Sequence, residues 1–169
     1  IINNGNDLLG HCKTNDKLKI NVEFVSANPT GPLHVGHGRG VIYGNIVAKF
    51  LKIQGHNVTK EYYVNDHGNQ IRKLCLSVFS HIDKLYAQSE DDLYQGEYTK
   101  EIAVLIKKNN IELPILPKTS DQLVDIPEDT RNFIVKNMID RIKMQLNNLN
   151  IKFDNWFYET SLFDEKSKY

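Results

Sequence analysis

Between Val22 and Asn45 the chain reads VEFVSANPTGPLHVGHGRGVIYGN, and there its apolar period changes from two to roughly 3.6. Ile20, Val22 and Phe24 share one parity, so LKINVEFVSA, residues 18–27, is expected to be a strand. NPTGP ends it, because each proline removes a backbone donor and the glycine tolerates positive φ. Over 33–54, Val41, Ile42, Ile46, Phe50 and Ile53 recur at three- and four-residue steps, which predicts a helix. Gly55 stands where a left-handed C-terminal cap is wanted. NVTKEYYV, residues 57–64, is rich in β-branched and aromatic residues and reads as a second strand. Strand, helix and strand in so short a span form a βαβ unit with a right-handed crossover and parallel strands. The class expected is α/β.

Further along, NDHGN at 65–69 ends the second strand and a helix is expected from Ile71 to Leu85. After about Phe79 the character changes. AQSEDDLYQGEY is acidic and irregular, TKEIAVLIKKNN a short amphipathic helix, and ELPILPKTSDQLVDIP, with three prolines, a loop. EDTRNFIVKNMIDRIKMQLNNLN sets Ile134, Met138, Ile142, Leu146 and Leu149 along one face, with acidic residues in the first turn, and is expected to be a helix. IKFDNWFYETSLF is strand-like and aromatic. The organisation expected is a connecting segment at 1–17, a sheet-building unit at 18–79, a mainly helical insertion at 80–150 and a return segment at 151–169. No internal repeat is found.

Composition narrows the function classes. Of 169 residues, 21 are basic and 21 acidic, so a nucleic-acid binder working through an overall basic surface is not expected. No apolar run approaches the roughly 18 residues of a membrane span, and no basic-then-apolar signal opens the chain. Cys12 and Cys75 do not make a disulfide framework, which points to a reducing cytoplasm. The chain starts at Ile1 without methionine and stops at FDEKSKY, so a fragment is expected.

Chemistry concentrates where the first strand hands over to the first helix. Ligands of open parallel sheets bind at the carboxyl ends of strands, and helix N-termini favour anions. That corner carries His34 and His37, three apart and so on one face of the first turn, with Gly36 and Gly38 leaving the backbone open. Two imidazoles beside a helix N-terminus suit a triphosphate under attack at its α-phosphorus, where they would donate to oxygens that gain charge. Histidines that merely cap a helix are the plainer alternative. The spacing is compatible with zinc, but no third ligand stands near and no His-Glu-x-x-His pattern occurs, so no metal site is expected. Gly36, Gly38 and Gly40 lack the Gly-x-Gly-x-x-Gly spacing of a dinucleotide fingerprint.

The longer string FVSANPTGPLHVGHGRG resembles the signature of class I aminoacyl-tRNA synthetases and, within them, of the arginyl-tRNA synthetases. VTKEYYVNDHGNQI, YQGEY and FDNWFYETSLF extend the resemblance over most of the chain. It implies a Rossmann-like parallel sheet, the first half of such a catalytic domain, interrupted by the helical insertion. It implies that His34 and His37 lie against ATP and are catalytic, with Pro29, Thr30, Gly31, Leu33 and Gly36 completing the ATP site. Ser26, Ala27, Asn28 and His37 would hold arginine. Tyr62, Asn65, Asp66, His67 and Gln70 would line the same crevice, although Asp66 reads equally well as a helix cap.

The implied reaction forms arginyl-adenylate from arginine and ATP, with magnesium carried on the phosphates, and then charges tRNA(Arg). Contacts to tRNA are expected mostly from parts outside this chain, and the full-length enzyme is expected to be a cytoplasmic monomer. The family's Lys-Met-Ser-Lys-Ser loop is not found. EKSKY at 165–169 resembles it but comes too early to be it. The isolated chain is therefore expected to be inactive. The alternatives are another nucleotidylyltransferase with a His-x-Gly-His turn, or a non-catalytic nucleotide-binding fragment.

Overall fold

A computed structural model describes residues 16–89, 92–115 and 124–163. Cys12, most of the connecting segment, part of the proline-rich loop and EKSKY lie outside the described residues. In chain order the elements are β1 (Lys19–Glu23), α1 (Val35–Ile53), β2 (Asn57–Val64), α2 (Asn69–Phe79), α3 (Glu97–Lys108), α4 (Glu128–Asn148) and β3 (Asn155–Tyr158), with 3-10 turns at Lys84–Ser89 and Glu159–Leu162. The strands form one parallel sheet in the order β1-β2-β3. Lys19 pairs with Asn57, and Glu61 with Asn155. This is the expected α/β, Rossmann-like arrangement. Among the described residues no helix is long and apolar enough to cross a membrane.

Each strand alternates. Phe24, Tyr62 and Val64 are buried and join the core, together with the half-buried Val22, Trp156 and Tyr158. The opposite parity is polar apart from Phe157, which lies against Tyr63. Glu61, on the central strand, accepts one amide hydrogen bond from Asn21 at 2.9 Å on β1 and another from Asn155 on β3. A parallel sheet usually reads as continuous apolar runs because both faces are covered; here alternation marks one dry and one polar face.

Helix α1 presents to the core a different face from the one the spacing suggested. Its buried residues are Val41, Gly44, Asn45 and Ala48. Ile42, Ile46 and Phe50 are 56%, 44% and 62% exposed. The reason is close packing: a Cβ built on Gly44 would stand 2.3 Å from the ring of Phe24. Small residues let the helix sit on β1, and the larger apolar residues turn outward. Its C-terminus closes as expected, with Gly55 at φ 97°, its N–H on Lys52 O at 3.0 Å and the His56 N–H on Leu51 O at 3.2 Å.

Other boundaries also move. β1 ends at Glu23 rather than running to Ala27, for reasons that belong to the site. Helix α2 stops at Phe79 instead of Leu85, because Asp83 accepts from the Leu85 N–H at 2.9 Å and starts a separate 3-10 turn. Thr99, Ile102, Ala103 and Ile106 bury one face of α3. On α4 Ile134, Met138, Ile142 and Leu146 are buried as expected, and Glu128 and Asp129 occupy its first turn. Leu149 has rotated off that face and is 55% exposed. The segment 151–163 supplies only four strand residues. It ends in a turn held by Asp66, which accepts from the Thr160 N–H at 3.0 Å and its hydroxyl at 2.6 Å. One core cluster contains residues of the sheet and of all four helices.

Candidate active site

The chain leaves β1 through a strained turn. Val25 has φ 69° and Ser26 φ 40°, and the Ser26 N–H reaches Phe24 O at 3.0 Å, closing a γ-turn around Val25. A β-branched residue at positive φ costs on the order of 1–3 kcal/mol and persists only where its surroundings over-determine it. They do so here. The Ser26 hydroxyl donates to Glu23 and accepts from the Tyr63 N–H at 3.1 Å. Tyr62, fully buried and stacked on Trp156 with centroids 4.4 Å apart, donates its hydroxyl to Ala27 O at 2.9 Å. Burial pushes this phenol well above its usual range, against the pull of that bond, so it stays a donor. Asn28 donates to the Gln70 carboxamide at 2.6 Å.

The two histidines begin α1 as a reciprocal cap. His34 is the N-cap residue, with extended backbone at φ −120°. Its Nδ1 accepts from the Gly36 N–H at 3.1 Å, and Nδ1 of His37 accepts from the His34 N–H at 3.2 Å. Each ring therefore carries its proton on Nε2 while neutral, the tautomer being set by the bond at the other nitrogen. The rings stand 3.9 Å apart, tilted by 32°. Burial, and secondarily the charge of His34, lowers the pKa of His37 below its ordinary value. Gly36 is required for the cap, since a Cβ there would meet His34 Cε1 at 2.8 Å. The capping alternative is thus real, and it leaves both Nε2–H groups available.

His34 and His37 line a cleft of about 510 Å³ together with Asn28, Thr30, Gly31, Pro32, Tyr94 and Tyr98. None of these eight carries a carboxylate. The tyrosines come from YQGEY, for which the sequence offered no specific role. Tyr98 donates to Thr30 O at 2.8 Å, and Gly96 lets its ring fold back, a Cβ there lying 2.0 Å from Cε1. Glu23 also went unread as a site residue; its signal was a carboxylate on the last residue of a strand.

The remaining candidates divide. Pro29 is buried beneath the loop and Leu33 packs on the core. Ser26 and Ala27 stand behind the cleft, tied to Glu23, Tyr62 and Tyr63. With its carboxamide oxygen and nitrogen exchanged, Asn65 donates to Glu159 at 2.8 Å and to His67 O at 3.0 Å. Asp66 is a cap, though of the turn after β3 rather than of α2. His67 borders a separate cleft with Gly68, Asn69, Arg72, Asp125 and Arg131. Partial burial, then the carboxylates of Glu159, Asp66 and Glu23, raises the Tyr63 pKa, so the carboxyl edge of all three strands is acidic. Among the described residues no group of three or more His, Cys, Asp or Glu is arranged to hold a metal ion. Cys75 is a core residue, burial pushing its thiol up to about 12.

Comparison with known proteins places this geometry in a wider set. Residues 2–166 match the profile described as tRNA synthetases class I (R), catalytic domain. The arginine–tRNA ligase of Ruegeria sp. is 37% identical over 168 residues, covering 95% of this chain and 27% of that protein. That of Rickettsia canadensis is 40% identical over 155 residues, covering 89% and 26%. A crystal structure assigned as an arginyl tRNA synthetase from Campylobacter jejuni superposes with a TM-score of 0.72 at 29% identity, over 94% of this chain and 34% of that one. The arginyl-tRNA synthetase of Thermus thermophilus, 19% identical, shares the fold with a TM-score of 0.55, over 89% of this chain and 25% of that one. The chain spans about a quarter of the length of the curated relatives it matches.

Proposed function

This chain belongs to the class I tRNA synthetase (R) family, whose catalytic-domain profile it matches over residues 2–166, and we propose that it supplies the ATP-facing half of an arginine-activating site. The observation that carries the reading is the histidine cap: two imidazoles side by side at a helix N-terminus, each with Nδ1 engaged as an acceptor and the ring lining the cleft.

In the proposed reaction an arginine carboxylate oxygen bonds to the α-phosphorus of ATP as the bond to the β-phosphate oxygen breaks. Arginyl-adenylate and pyrophosphate result. A terminal ribose hydroxyl of tRNA(Arg) then attacks the carbonyl carbon and AMP leaves. His34 and His37 donate from Nε2 to α-phosphate oxygens that gain charge in the first step, a role that needs no proton transfer and suits imidazoles kept neutral. Thr30 and Gly31 line the cleft where the nucleotide would lie, and Gly36 makes room for the His34 ring of the cap. Magnesium is carried on the triphosphate, which accords with a cleft lined by no carboxylate.

Arginine is a dication with a carboxylate. The acidic edge formed by Glu23, Asp66 and Glu159 suits its positive groups, and Asn28 at the cleft presents a carboxamide to the carboxylate end. Ser26 and Ala27 act from behind, by fixing the backbone on which Asn28 sits. Gln70 holds the Asn28 side chain, and Tyr62 holds the Ala27 carbonyl. The setting this reading implies is a cytoplasmic, monomeric translation enzyme.

Exchange of labelled pyrophosphate into ATP by the intact protein, with tRNA(Arg) present, tests the reading. Exchange is expected with arginine and with no other standard amino acid. Exchange that ignores arginine would replace this reading with a nucleotidylyltransferase acting on another substrate.

A further inference from the structure

The peptide leading into α1 is gripped from the far end of the chain by one side chain. The Leu33 N–H donates to Gln145 Oε1 at 2.8 Å, and Gln145 Nε2 donates back to Leu33 O at 3.1 Å. One carboxamide thus satisfies both backbone groups of Leu33, as a neighbouring strand would, across 112 residues of sequence. Gln145 precedes the buried Leu146 on α4, and that helix is locked into the core by Ile134, Met138, Ile142 and Leu146. Leu33 in turn precedes His34, the N-cap whose N–H and Nδ1 close the histidine pair. Three residues earlier, Tyr98 of α3 holds the Thr30 carbonyl at 2.8 Å.

We propose that Gln145 is a positioning residue for the histidine turn, its two hydrogen bonds to Leu33 fixing where His34 and His37 present Nε2 to the cleft. The helices that carry Gln145 and Tyr98 thereby act as a gauge for the turn. Only a carboxamide of this length does this with one donor and one acceptor at once: methionine keeps the shape and loses both bonds, and glutamate keeps an acceptor and sets charge against the Leu33 carbonyl. Methionine leaves both half-buried backbone groups of Leu33 without partners, and glutamate leaves the carbonyl without one. The catalytic consequence rests on the function proposed above; the positional one does not.

The test compares Gln145→Met and Gln145→Glu with the unsubstituted intact protein, using Met144→Gln, at the exposed neighbouring position, as the control. Amide hydrogen exchange at Leu33 reads the clamp directly, and imidazole nitrogen shifts read the tautomers of His34 and His37. In Gln145→Met, Leu33 exchange is expected to speed up at least about tenfold while core amides of α4 keep their protection. The turnover of arginine-dependent pyrophosphate exchange is expected to fall about 10- to 100-fold, with the KM for arginine little changed, because geometry rather than binding is lost. Should Gln145→Met fold poorly, Gln145→Ala removes the same two bonds and carries the Leu33 readout, while Gln145→Glu reads the loss of the carbonyl bond alone through turnover. Unchanged Leu33 protection together with unchanged turnover would overturn the proposal. An unsubstituted protein that exchanges without arginine would remove the proposed function, and Leu33 exchange alone would then decide for or against the clamp.

Discussion

At the scale of single residues, the histidine pair couples chemistry to the helix it caps. Nδ1 of each ring is an acceptor, so protonating either ring there removes a cap bond. The pKa of His37 is lowered in the folded chain, chiefly by burial. A lowered folded pKa means that the unfolded chain binds the proton more readily. Its contribution to stability is therefore fully present above the ordinary value of 6.5 and lost as pH falls through the folded value. The imidazole of His37 is expected to titrate below 6.5 in an NMR series, with the Nε2–H tautomer dominant at neutral pH. In His37→Ala the acid-side slope of thermal stability should flatten. A midpoint above 6.5 would contradict the geometry. Tyr62 acts on the same loop from inside the core. Tyr62→Phe strands the Ala27 carbonyl and should cost about 1 kcal/mol in chemical denaturation, while leaving the Trp156 stacking intact.

Elements were legible in the sequence where their residues interact locally. The switch of period across NPTGP located β1 and α1, Gly55 located the end of α1, and the spacing of Ile134, Met138, Ile142 and Leu146 located the buried face of α4. What misled was the reading of α1 by apolar residues alone. Its buried face carries Gly44, Asn45 and Ala48 beside Val41, Gly44 lying against the Phe24 ring, and this face gives no apolar stripe. This assignment is measurable. Val41→Ala should cost about 2 kcal/mol, whereas Phe50→Ala should stay within about 0.5 kcal/mol when this 169-residue chain is unfolded by denaturant. The opposite order would restore the outward stripe to the core. The early end of β1 was equally hidden, because Val25 favours strands by type and the bonds to Tyr63, Tyr62 and Glu23 that brace the γ-turn and its loop leave no local pattern. The histidines and their glycines announced the site; Gln145, Tyr98 and Glu23 did not, since long-range contacts leave no local pattern.

Across the whole molecule, one parallel sheet collects everything proposed for catalysis at its carboxyl edge. β1 delivers Glu23 and the strained turn, β2 delivers Tyr62 and Tyr63 behind that turn, and Glu159 follows directly on β3. Helices α3 and α4 reach back to hold Thr30 and Leu33. The zero formal charge gives the chain no general attraction for RNA. In the proposed function, positioning by many weak contacts is followed by charge stabilisation from two imidazoles in the first chemical step. The measurement that tests it most directly is arginine-dependent exchange of pyrophosphate into ATP by the intact protein carrying His34→Ala or His37→Ala. Each substitution is expected to lower the exchange rate on the order of 10²–10³-fold while the protein stays folded; near-normal exchange in either folded variant would contradict the role given to the histidine pair.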